Sequence, residues 1–267
     1  MGRTSPSPDG GLAIPRGAAL QNSSTLGVPG GDVPPEIWQA DSFQRWYQAQ
    51  RGAGNSLEGV EVLWSRRTGS GPDAPMFWAM HVAVRIAAEG RVKSNEIVIS
   101  RPDSSSVALY CPAPAPVPGT ATATSTATAT ALDDTVVVLV REFRSPASTS
   151  DGFVHELPGG SGESGDPRAQ AVTELKEETG LKIDADRLRA HGSRQVAATF
   201  SAHHTHLFSA PITDAELARL RELQQSVHGV GPTERTWIEI ATFGEIRRSR
   251  LVDWSTLGML AQALLDG

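Results

Sequence analysis

The chain has 267 residues, with 24 Lys and Arg against 30 Asp and Glu, which gives a formal net charge of -6 at pH 7. This length suits one or two domains with a sizeable core, and the acidic balance argues against a nucleic-acid-binding protein. Cys111 is the single cysteine, which excludes an internal disulfide. No run is apolar enough to span a membrane and the first residues lack a secretion signal, so we expect a soluble cytoplasmic protein.

The first hundred residues divide into a polar tail and a β-rich region. Residues 1–34 are rich in Gly, Pro and Ser and poor in large apolar side chains, which predicts disorder. Aromatic and aliphatic side chains between residues 35 and 50 favour one helix. Three alternating or β-branched segments then predict strands: residues 60–64, 77–86 and 96–100. We treat residues 35–100 as a region of its own.

A low-complexity segment interrupts the next part of the chain, which we treat as one domain from 101 to 267. A strand is predicted at residues 107–110, and residues 112–132 are then rich in Pro, Ala and Thr. Such a composition buries little and indicates an inserted flexible loop. After it, residues 136–139 are all Val or Leu, which predicts a buried strand.

A glycine-rich loop and a short helix are predicted next. The loop contains the glycines that begin at Gly159, and a chain without Cβ atoms can pass close to a ligand. Asp166 is a good N-cap and Pro167 suits the first helical position, so a helix is expected to begin there. Gly180 suits the left-handed residue that ends a helix.

Three carboxylates, Glu174, Glu177 and Glu178, fall on one face of this predicted helix, because positions i, i+3 and i+4 are neighbours. Like charges packed there repel one another, and a hard divalent cation neutralises them. Ligand sets made only of oxygen favour Mg²⁺ or Mn²⁺ over zinc. We assign Glu174 and Glu178 as principal metal ligands and Glu177 as a further ligand or the holder of a metal-bound water. The alternative is a solvated acidic helix face.

The elements after this helix do not alternate as strict βαβ units. A mixed sheet between helices, an α/β arrangement of the α+β kind, is therefore favoured over a doubly wound parallel sheet. Three nearby histidines are too few for a zinc site when the cysteine is distant, and we assign them no metal role: His203, His204 and His206. The predicted elements are strands at 194–200, 205–209 and 236–240, helices at 214–225 and 255–265, a loop at 228–234 and a turn at 243–246.

The run from Gly159 to Leu181 resembles the Nudix box, G-x₅-E-x₇-R-E-U-x-E-E-x-G-U with U aliphatic. Two positions depart from the pattern: Thr173 stands where the box has Arg, and the early Glu falls on Gly165 if the pattern starts at Gly159. If it starts at Gly160, the residue that would carry that Glu is missing. The matching residues are Glu174, Leu175, Glu177, Glu178, Gly180 and Leu181.

The preceding run Glu156-Leu157-Pro158-Gly159-Gly160 resembles the ADP-ribose and ADP-sugar pyrophosphatase branch of that family. The resemblance implies the Nudix fold, an α/β/α sandwich with a mixed sheet, preceded by a small β-rich N-terminal domain that forms the contact of a homodimer. It implies an Mg²⁺-dependent hydrolase that splits a nucleoside diphosphate sugar into a nucleoside monophosphate and a sugar phosphate. No nucleic acid or membrane partner is implied.

Residue roles follow from the same resemblance. The Gly159 carbonyl completes a metal coordination sphere, and Glu234, in an acidic loop, is the general base. Arg141 and Arg144 grip the phosphates, and Glu156 joins them in binding the substrate.

The two departures from the box favour an alternative function. Loss of the box Arg at Thr173 and of the early Glu would suit a relative that binds a nucleotide sugar without turning it over. The intact glutamates of the helix favour the enzyme, because metal ligands act on the chemistry more directly than a residue that orients them.

Overall fold

The computed structural model describes residues 26–28, 31–67, 76–113, 131–161, 165–230 and 234–266. Within these ranges the chain is a mixed α/β protein with a seven-stranded mixed sheet, as the predicted α+β class requires. No helix in the described part is long and apolar enough to cross a membrane. Most of the segment predicted to be disordered, and most of the predicted insertion at 112–132, lies outside the described residues.

The N-terminal region is built on a three-stranded antiparallel sheet against which helices pack. Phe43 and Trp78 are almost fully buried in its core, and Trp78 Nε1 donates a hydrogen bond to Ser42 Oγ at 3.1 Å. The indole thus buries its apolar surface and still satisfies its one donor. The elements are β1 (Leu26–Val28) and β2 (Gly31–Val33), which pair with each other, α1 (Pro35–Trp38), α2 (Asp41–Gly52), β3 (Ser56–Arg67), β4 (Met76–Ile86) and β5 (Arg91–Ser100).

The single helix predicted over 35–50 is wrong, because the chain breaks between α1 and α2 at an extended Ala40. Ile37 and Phe43 are both fully buried in the same core. On one continuous helix, six residues at about 100° each would place them on different faces. The break lets both side chains reach the sheet, and Gln44 Nε2 donates to the freed Trp38 carbonyl at 2.6 Å.

The larger sheet belongs to the second part of the chain. Its strands are β6 (Ser104–Cys111), β7 (Val136–Phe143), β8 (Phe153–Glu156), β9 (Gly159–Gly160), β10 (Arg189–Gln195), β11 (His204–Pro211) and β12 (Thr236–Thr242). The order is β10-β11-β6-β7-β12; β11 runs parallel to β6, and the other pairs are antiparallel. The helices of this part are α3 (Pro167–Thr179), a 3-10 turn (Ala185–Arg187), α4 (Asp214–Leu223), α5 (Phe243–Ser249) and α6 (Trp254–Leu265).

Helices cover both faces of the larger sheet. Successive side chains of β7 point to opposite faces, so Val138 packs in one cluster with Leu175 of α3, and Leu139 packs in another with Leu260 of α6. All four side chains are fully buried. The sheet therefore lies between two helical layers, as the α/β/α arrangement requires.

The two central strands of this sheet separate along their length. β6 and β7 pair only from Leu109 to Cys111 against Val136 to Val138. Beyond that point β8 pairs with β7 and β9 pairs with β6, so the segment 153–160 lies between them. Val107 N donates to the Pro158 carbonyl at 2.8 Å, which holds the intervening chain in the gap. The glycine loop thus starts inside the sheet.

The strand predicted over 194–200 is wrong in its bounds, because β10 ends at Gln195. The chain then turns, and Ile99 N donates to the Phe200 carbonyl at 2.8 Å while Ala202 N donates to the Ile99 carbonyl at 2.8 Å. This segment is thereby joined to the end of β5 and not to β11. Alternating apolar residues in the sequence could not reveal that partner.

The turn predicted at 243–246 is also wrong, because α5 forms there. Thr242 Oγ1 accepts from the Glu245 amide at 3.2 Å, and the Glu245 carboxylate accepts from the Thr242 amide at 2.8 Å. This is a capping box, which satisfies two backbone donors at a helix start. The Thr-x-x-Glu spacing was the signal in the sequence.

Candidate functional site

Helix α3 directs Glu174 and Glu178 inward and leaves Glu177 exposed. The helix begins and ends as predicted: Asp166 accepts from the Arg168 amide, and Gly180 takes the left-handed conformation at φ 69°. Its buried Leu175 packs under the sheet. The three glutamates therefore do not form one uniform face: two are turned to the protein and one to solvent.

The glycine loop lies directly against these two carboxylates. Gly159 N donates to Glu178 Oε2 at 2.7 Å. A Cβ built on Gly160 would stand 2.5 Å from the Glu174 carboxyl carbon, and one on Gly159 would stand 2.1 Å from the Ser105 carbonyl oxygen. Gly159 is required, because the clash there is with backbone, whereas a side chain at Gly160 would displace the Glu174 carboxylate from its position beside the loop.

Strands β7 and β8 add two further carboxylates and one cation. Arg144 Nη2 donates to Glu156 Oε2 at 3.0 Å. It also lies 2.8 Å from Glu142 Oε2, but without the angle of a hydrogen bond, so this oxygen is paired in charge and lacks a hydrogen-bond donor among the described residues. Glu142 is only 8 % exposed. A buried carboxylate oxygen without a donor is suited to receive an external ligand.

The loop before β12 brings Glu234 to the same place. Gly229 N donates to the Glu177 carbonyl at 3.1 Å, and Val230 N donates to Glu234 Oε2 at 3.3 Å. The negative charge of Glu234 raises the pKa of Glu174 and contributes to the raised pKa of Glu178. The proposed general base thus lies within electrostatic reach of both inward glutamates.

Three carboxyl groups of the site, those of Glu142, Glu174 and Glu178, have pKa values raised above the ordinary one. Burial, and then the charges of Glu177 and Glu234, raise the pKa of Glu174 to about 7. Burial raises the pKa of Glu178 well above its usual range, although the Gly159 amide opposes this. Burial also raises the pKa of Glu142, against the pull of Arg144. These three carboxyl groups therefore resist ionisation in the folded chain, and a nearby cation would favour their charged forms.

These residues fit a hard divalent cation by their chemistry. The ligand atoms would be carboxylate oxygens, which Mg²⁺ and Mn²⁺ prefer. One of them, Glu142 Oε2, accepts no hydrogen bond from the described residues. In the part of the chain that the structure describes, no three His, Cys, Asp or Glu side chains stand close enough together to hold a metal ion as placed.

Arg141 is not brought into this group. It lies on the face of β7 opposite to Glu142, where Nη2 donates to Asp151 Oδ2 at 2.9 Å and the guanidinium carbon stands 3.9 Å from the centre of the Phe153 ring. Of the two arginines predicted to grip phosphates, the structure places only Arg144 beside the acidic cluster.

The two departures from the Nudix box lie at the surface. Thr173 is exposed, and its Oγ1 donates to the Ala169 carbonyl at 3.1 Å, so the hydroxyl serves the helix backbone. Gly165 is exposed, and a Cβ there would meet nothing within 4 Å. Neither residue supplies a carboxylate or a cation to the site.

Glu142 and Arg101 are site residues that the sequence analysis did not select. Glu142 lies on the same face of β7 as Val138 and Val140, because alternate residues of a strand share a face. A charged residue in line with buried valines was therefore the feature of the sequence that could have marked it. Arg101 interacts electrostatically with Arg144, Glu156 and Glu142. It lies between two strands, and no pattern in the sequence marked it.

The three histidines lie apart from the acidic cluster. His204 Nδ1 stands 3.1 Å from Arg45 Nη1, and the His204 amide donates to Asp103 Oδ1 at 2.9 Å. His206 Nε2 is 3.9 Å from Asp103. Burial lowers the pKa of His203, and the charge of Arg101 lowers it further. These contacts join the N-terminal region to the larger sheet.

A comparison with known protein families finds no family model that matches the chain, and a comparison with curated proteins finds no match. The geometry around α3 therefore carries the functional interpretation.

Proposed function

We propose that the chain is an Mg²⁺-dependent hydrolase of the Nudix type, which cleaves the pyrophosphate bond of a nucleoside diphosphate sugar into a nucleoside monophosphate and a sugar phosphate. One observation carries this proposal: the inward glutamates of α3 lie against a glycine loop, within electrostatic range of Glu142 and Glu234 from two other parts of the chain. A cation bound among these carboxyl groups would favour their charged forms, which the protein alone disfavours.

Each group has a proposed task. Glu174 and Glu178 would hold the metal, with Glu177 and the Gly159 carbonyl as further candidates. A bound Mg²⁺ neutralises phosphate oxygens and lowers the pKa of a coordinated water. Glu234 would accept the proton of the attacking water, a task suited to a carboxylate on a loop beside the metal ligands. Arg144 would bind a phosphate oxygen and keep Glu156 oriented, and Glu156 would in turn orient the substrate.

The second candidate function is a protein that binds a nucleotide sugar without turning it over. It is favoured by Thr173, whose hydroxyl bonds back to the helix where the box has an Arg. We expect Thr173→Arg to raise the turnover rate if a glutamate is poorly oriented in the natural chain. A rate that is unchanged or lower would mean that another residue, such as Arg144, already performs that task.

The decisive experiment for the enzyme is an assay with ADP-ribose, ADP-glucose and UDP-glucose. Purified protein is incubated with each in Mg²⁺, Mn²⁺ or EDTA, and the release of monophosphate is followed. Release in either metal and none in EDTA supports the enzyme. Binding of these compounds without release supports the second candidate, and the absence of both contradicts the nucleotide-sugar proposal.

The proposed homodimer rests on the same resemblance, with residues 35–100 supplying the contact. Trp64 on the edge strand β3 is 51 % exposed and is available for such a contact. Sedimentation equilibrium at micromolar concentration tests it, and a mass of one chain would contradict it.

A further inference from the structure

Arg101 is a cation at the candidate site that no carboxylate contacts directly among the described residues. It follows β5, and its Nη2 donates to Ser161 Oγ at 3.1 Å. Its Nε is buried and has no hydrogen-bond partner in the described part of the chain. The guanidinium carbon stands 5.9 Å from the centre of the Phe77 ring on β4.

The charges around Arg101 are those of the candidate site. Burial lowers its pKa, followed by the charge of Arg144, while Glu156 and Glu142 oppose both. Ser161, which accepts a hydrogen bond from the guanidinium, comes directly after Gly160, where an added Cβ would stand 2.5 Å from the Glu174 carboxyl carbon. Arg101 therefore stands beside the glycine loop, within reach of the cluster that would hold the metal.

The carboxylates nearby have other partners. Glu156 accepts its hydrogen bonds from Arg144, and Glu142 Oε2 lies 2.8 Å from Arg144 Nη2 as an ion pair. Glu178 accepts a hydrogen bond from the Gly159 amide. A guanidinium stays charged at every physiological pH and loses hydration when it is partly buried. An anion from outside the chain would satisfy it, and the planar donor fork of arginine matches a phosphate group.

We propose that Arg101 binds a phosphate oxygen of the substrate diphosphate on the Ser161 side of the glycine loop. The inference rests on the proposed function. It adds to the site a residue that directly follows β5, the last strand of the N-terminal region. Ser161 is then a positioning residue, which holds the guanidinium through Nη2 and leaves the rest of the fork for the phosphate.

The test measures the binding of ADP-ribose, inorganic pyrophosphate and adenosine by calorimetry, in EDTA and in Ca²⁺. The variants are Arg101→Gln and Arg101→Lys, and the control is Arg85→Gln. Arg85 is paired with Glu58 on the surface, eight residues along β4 from Phe77. At a rise of about 3.3 Å per residue, eight residues place Arg85 roughly 26 Å along the strand from Phe77, the ring beside Arg101.

We expect Arg101→Gln to weaken the binding of ADP-ribose and of pyrophosphate about ten- to a hundredfold, because the substitution removes charged hydrogen bonds. Arg101→Lys should bind the same two ligands about tenfold more weakly, because a single ammonium group cannot reproduce the planar donor fork of the guanidinium. The affinity of both Arg101 variants for adenosine should stay within twofold of that of the natural chain. The Arg85→Gln control should bind all three ligands within twofold of the natural chain. A purely structural role would weaken adenosine and the phosphates alike, so this contrast separates the two roles.

The outcomes distinguish this inference from the proposed function. If the natural chain binds and cleaves ADP-ribose, and Arg101→Lys binds both phosphate ligands within twofold of it, the role of Arg101 is overturned and the hydrolase stands. If the natural chain binds neither phosphate ligand, the proposed function fails and the inference fails with it. Should Arg101→Gln not fold, Arg101→Lys alone decides, because it keeps the charge and the aliphatic stem.

Discussion

Glu178 is held by the fold in an environment that opposes its charge. The side chain is 2 % exposed, and burial with nearby carboxylates raises its pKa. The Gly159 amide offers it one hydrogen bond, but no cationic side chain donates to it in the described part of the chain. Ionisable groups with strongly shifted pKa values cluster at functional sites, and under the proposed function a bound metal ion would compensate the charge of Glu178.

We expect Glu178→Gln to abolish Mg²⁺-dependent cleavage while it raises the free energy of unfolding of the metal-free protein by about 1 kcal/mol at pH 8. The amide keeps an acceptor for Gly159 and removes a buried ionisable group. Urea unfolding in EDTA checks the stability. Mg²⁺ should raise the Tm of the natural chain and not that of the variant.

Glu222→Gln is the matched control, because Glu222 is exposed on α4. We expect it to keep the cleavage activity and the Mg²⁺ effect on Tm. If Glu178→Gln is less stable than the natural chain without metal, or still gains Tm from Mg²⁺, Glu178 is not a metal ligand.

At the scale of the element, the glycine loop works because the sheet opens to receive it. β6 and β7 separate, β8 and β9 fill the gap, and Gly159 then packs against the Ser105 backbone. The loop is tied to α3 by Gln170 Nε2, which donates to the Gly160 carbonyl at 2.6 Å. Loop and helix thus hold one another in place, so the carboxylates are positioned by rigid backbone.

Gly159→Ala should lower the free energy of unfolding by about 3 kcal/mol or more, because its Cβ would stand 2.1 Å from a backbone oxygen. Gly165→Ala is the control, since a Cβ at that exposed position meets nothing within 4 Å. Urea denaturation compares the two variants. Equal stabilities would show that the loop does not pack against Ser105 in this way.

Helix α4 depends on a charge at its first turn. Arg187 Nη1 donates to Glu216 Oε1 at 2.6 Å, and Glu216 also completes a capping box with Thr213. The hydrogen bond from Arg187 is the largest cause that lowers the pKa of Glu216, to about 2. The folded pKa lies below the unfolded one, so this contribution to stability is full above about pH 4.5 and is lost as the pH falls towards 2.

We expect Glu216→Gln to cost about 1 kcal/mol of unfolding free energy at pH 7 and only about 0.4 kcal/mol or less at pH 2, where the natural side chain is about half protonated. Urea unfolding at both pH values measures this. The control Glu222→Gln, on the exposed side of the same helix, should change stability by less than about 0.5 kcal/mol at either pH. A penalty for Glu216→Gln that is as large at pH 2 as at pH 7 would contradict the ion pair.

At the scale of the whole molecule, the N-terminal region and the larger sheet form a joint structure. Ile99 exchanges backbone hydrogen bonds with the segment that contains Phe200 and Ala202. Arg45 forms an ion pair with Asp103, which also accepts from the His204 amide. Because these contacts lie next to Arg101, the N-terminal region bears on the site and not only on stability.

Trp78→Ala should therefore destabilise the protein by about 3–5 kcal/mol and leave a single unfolding transition. Trp78 is 1 % exposed and contacts Phe43 and Trp46 in the N-terminal core. Far-UV circular dichroism and tryptophan fluorescence should give the same midpoint in urea. Trp64→Ala, at an exposed residue, should cost less than about 1 kcal/mol, and two separated transitions would show that the regions are independent.

The start and end of α3 and the mixed sheet were predictable, because capping residues and apolar runs act over a few positions. Helix breaks and strand ends were harder to predict from the sequence. The break between α1 and α2 at Ala40 and the end of β10 at Gln195 depend on partners far along the chain. Of the candidate site, the motif marked Glu174 and Glu178, whereas the exposure of Glu177 and the separation of Arg141 required the fold.

Local chemistry in the chain was sufficient to indicate an acidic helix that follows a glycine loop, because both features lie within about two dozen neighbouring residues. Only the folded arrangement brought Glu142 and Glu234 near that helix and Arg101 to the glycine loop. The reason is geometric: the gap between β6 and β7, and the junction at Ile99, join residues that are far apart in the chain. Burial and charge at a site are sums over such distant neighbours, and no local pattern contains them.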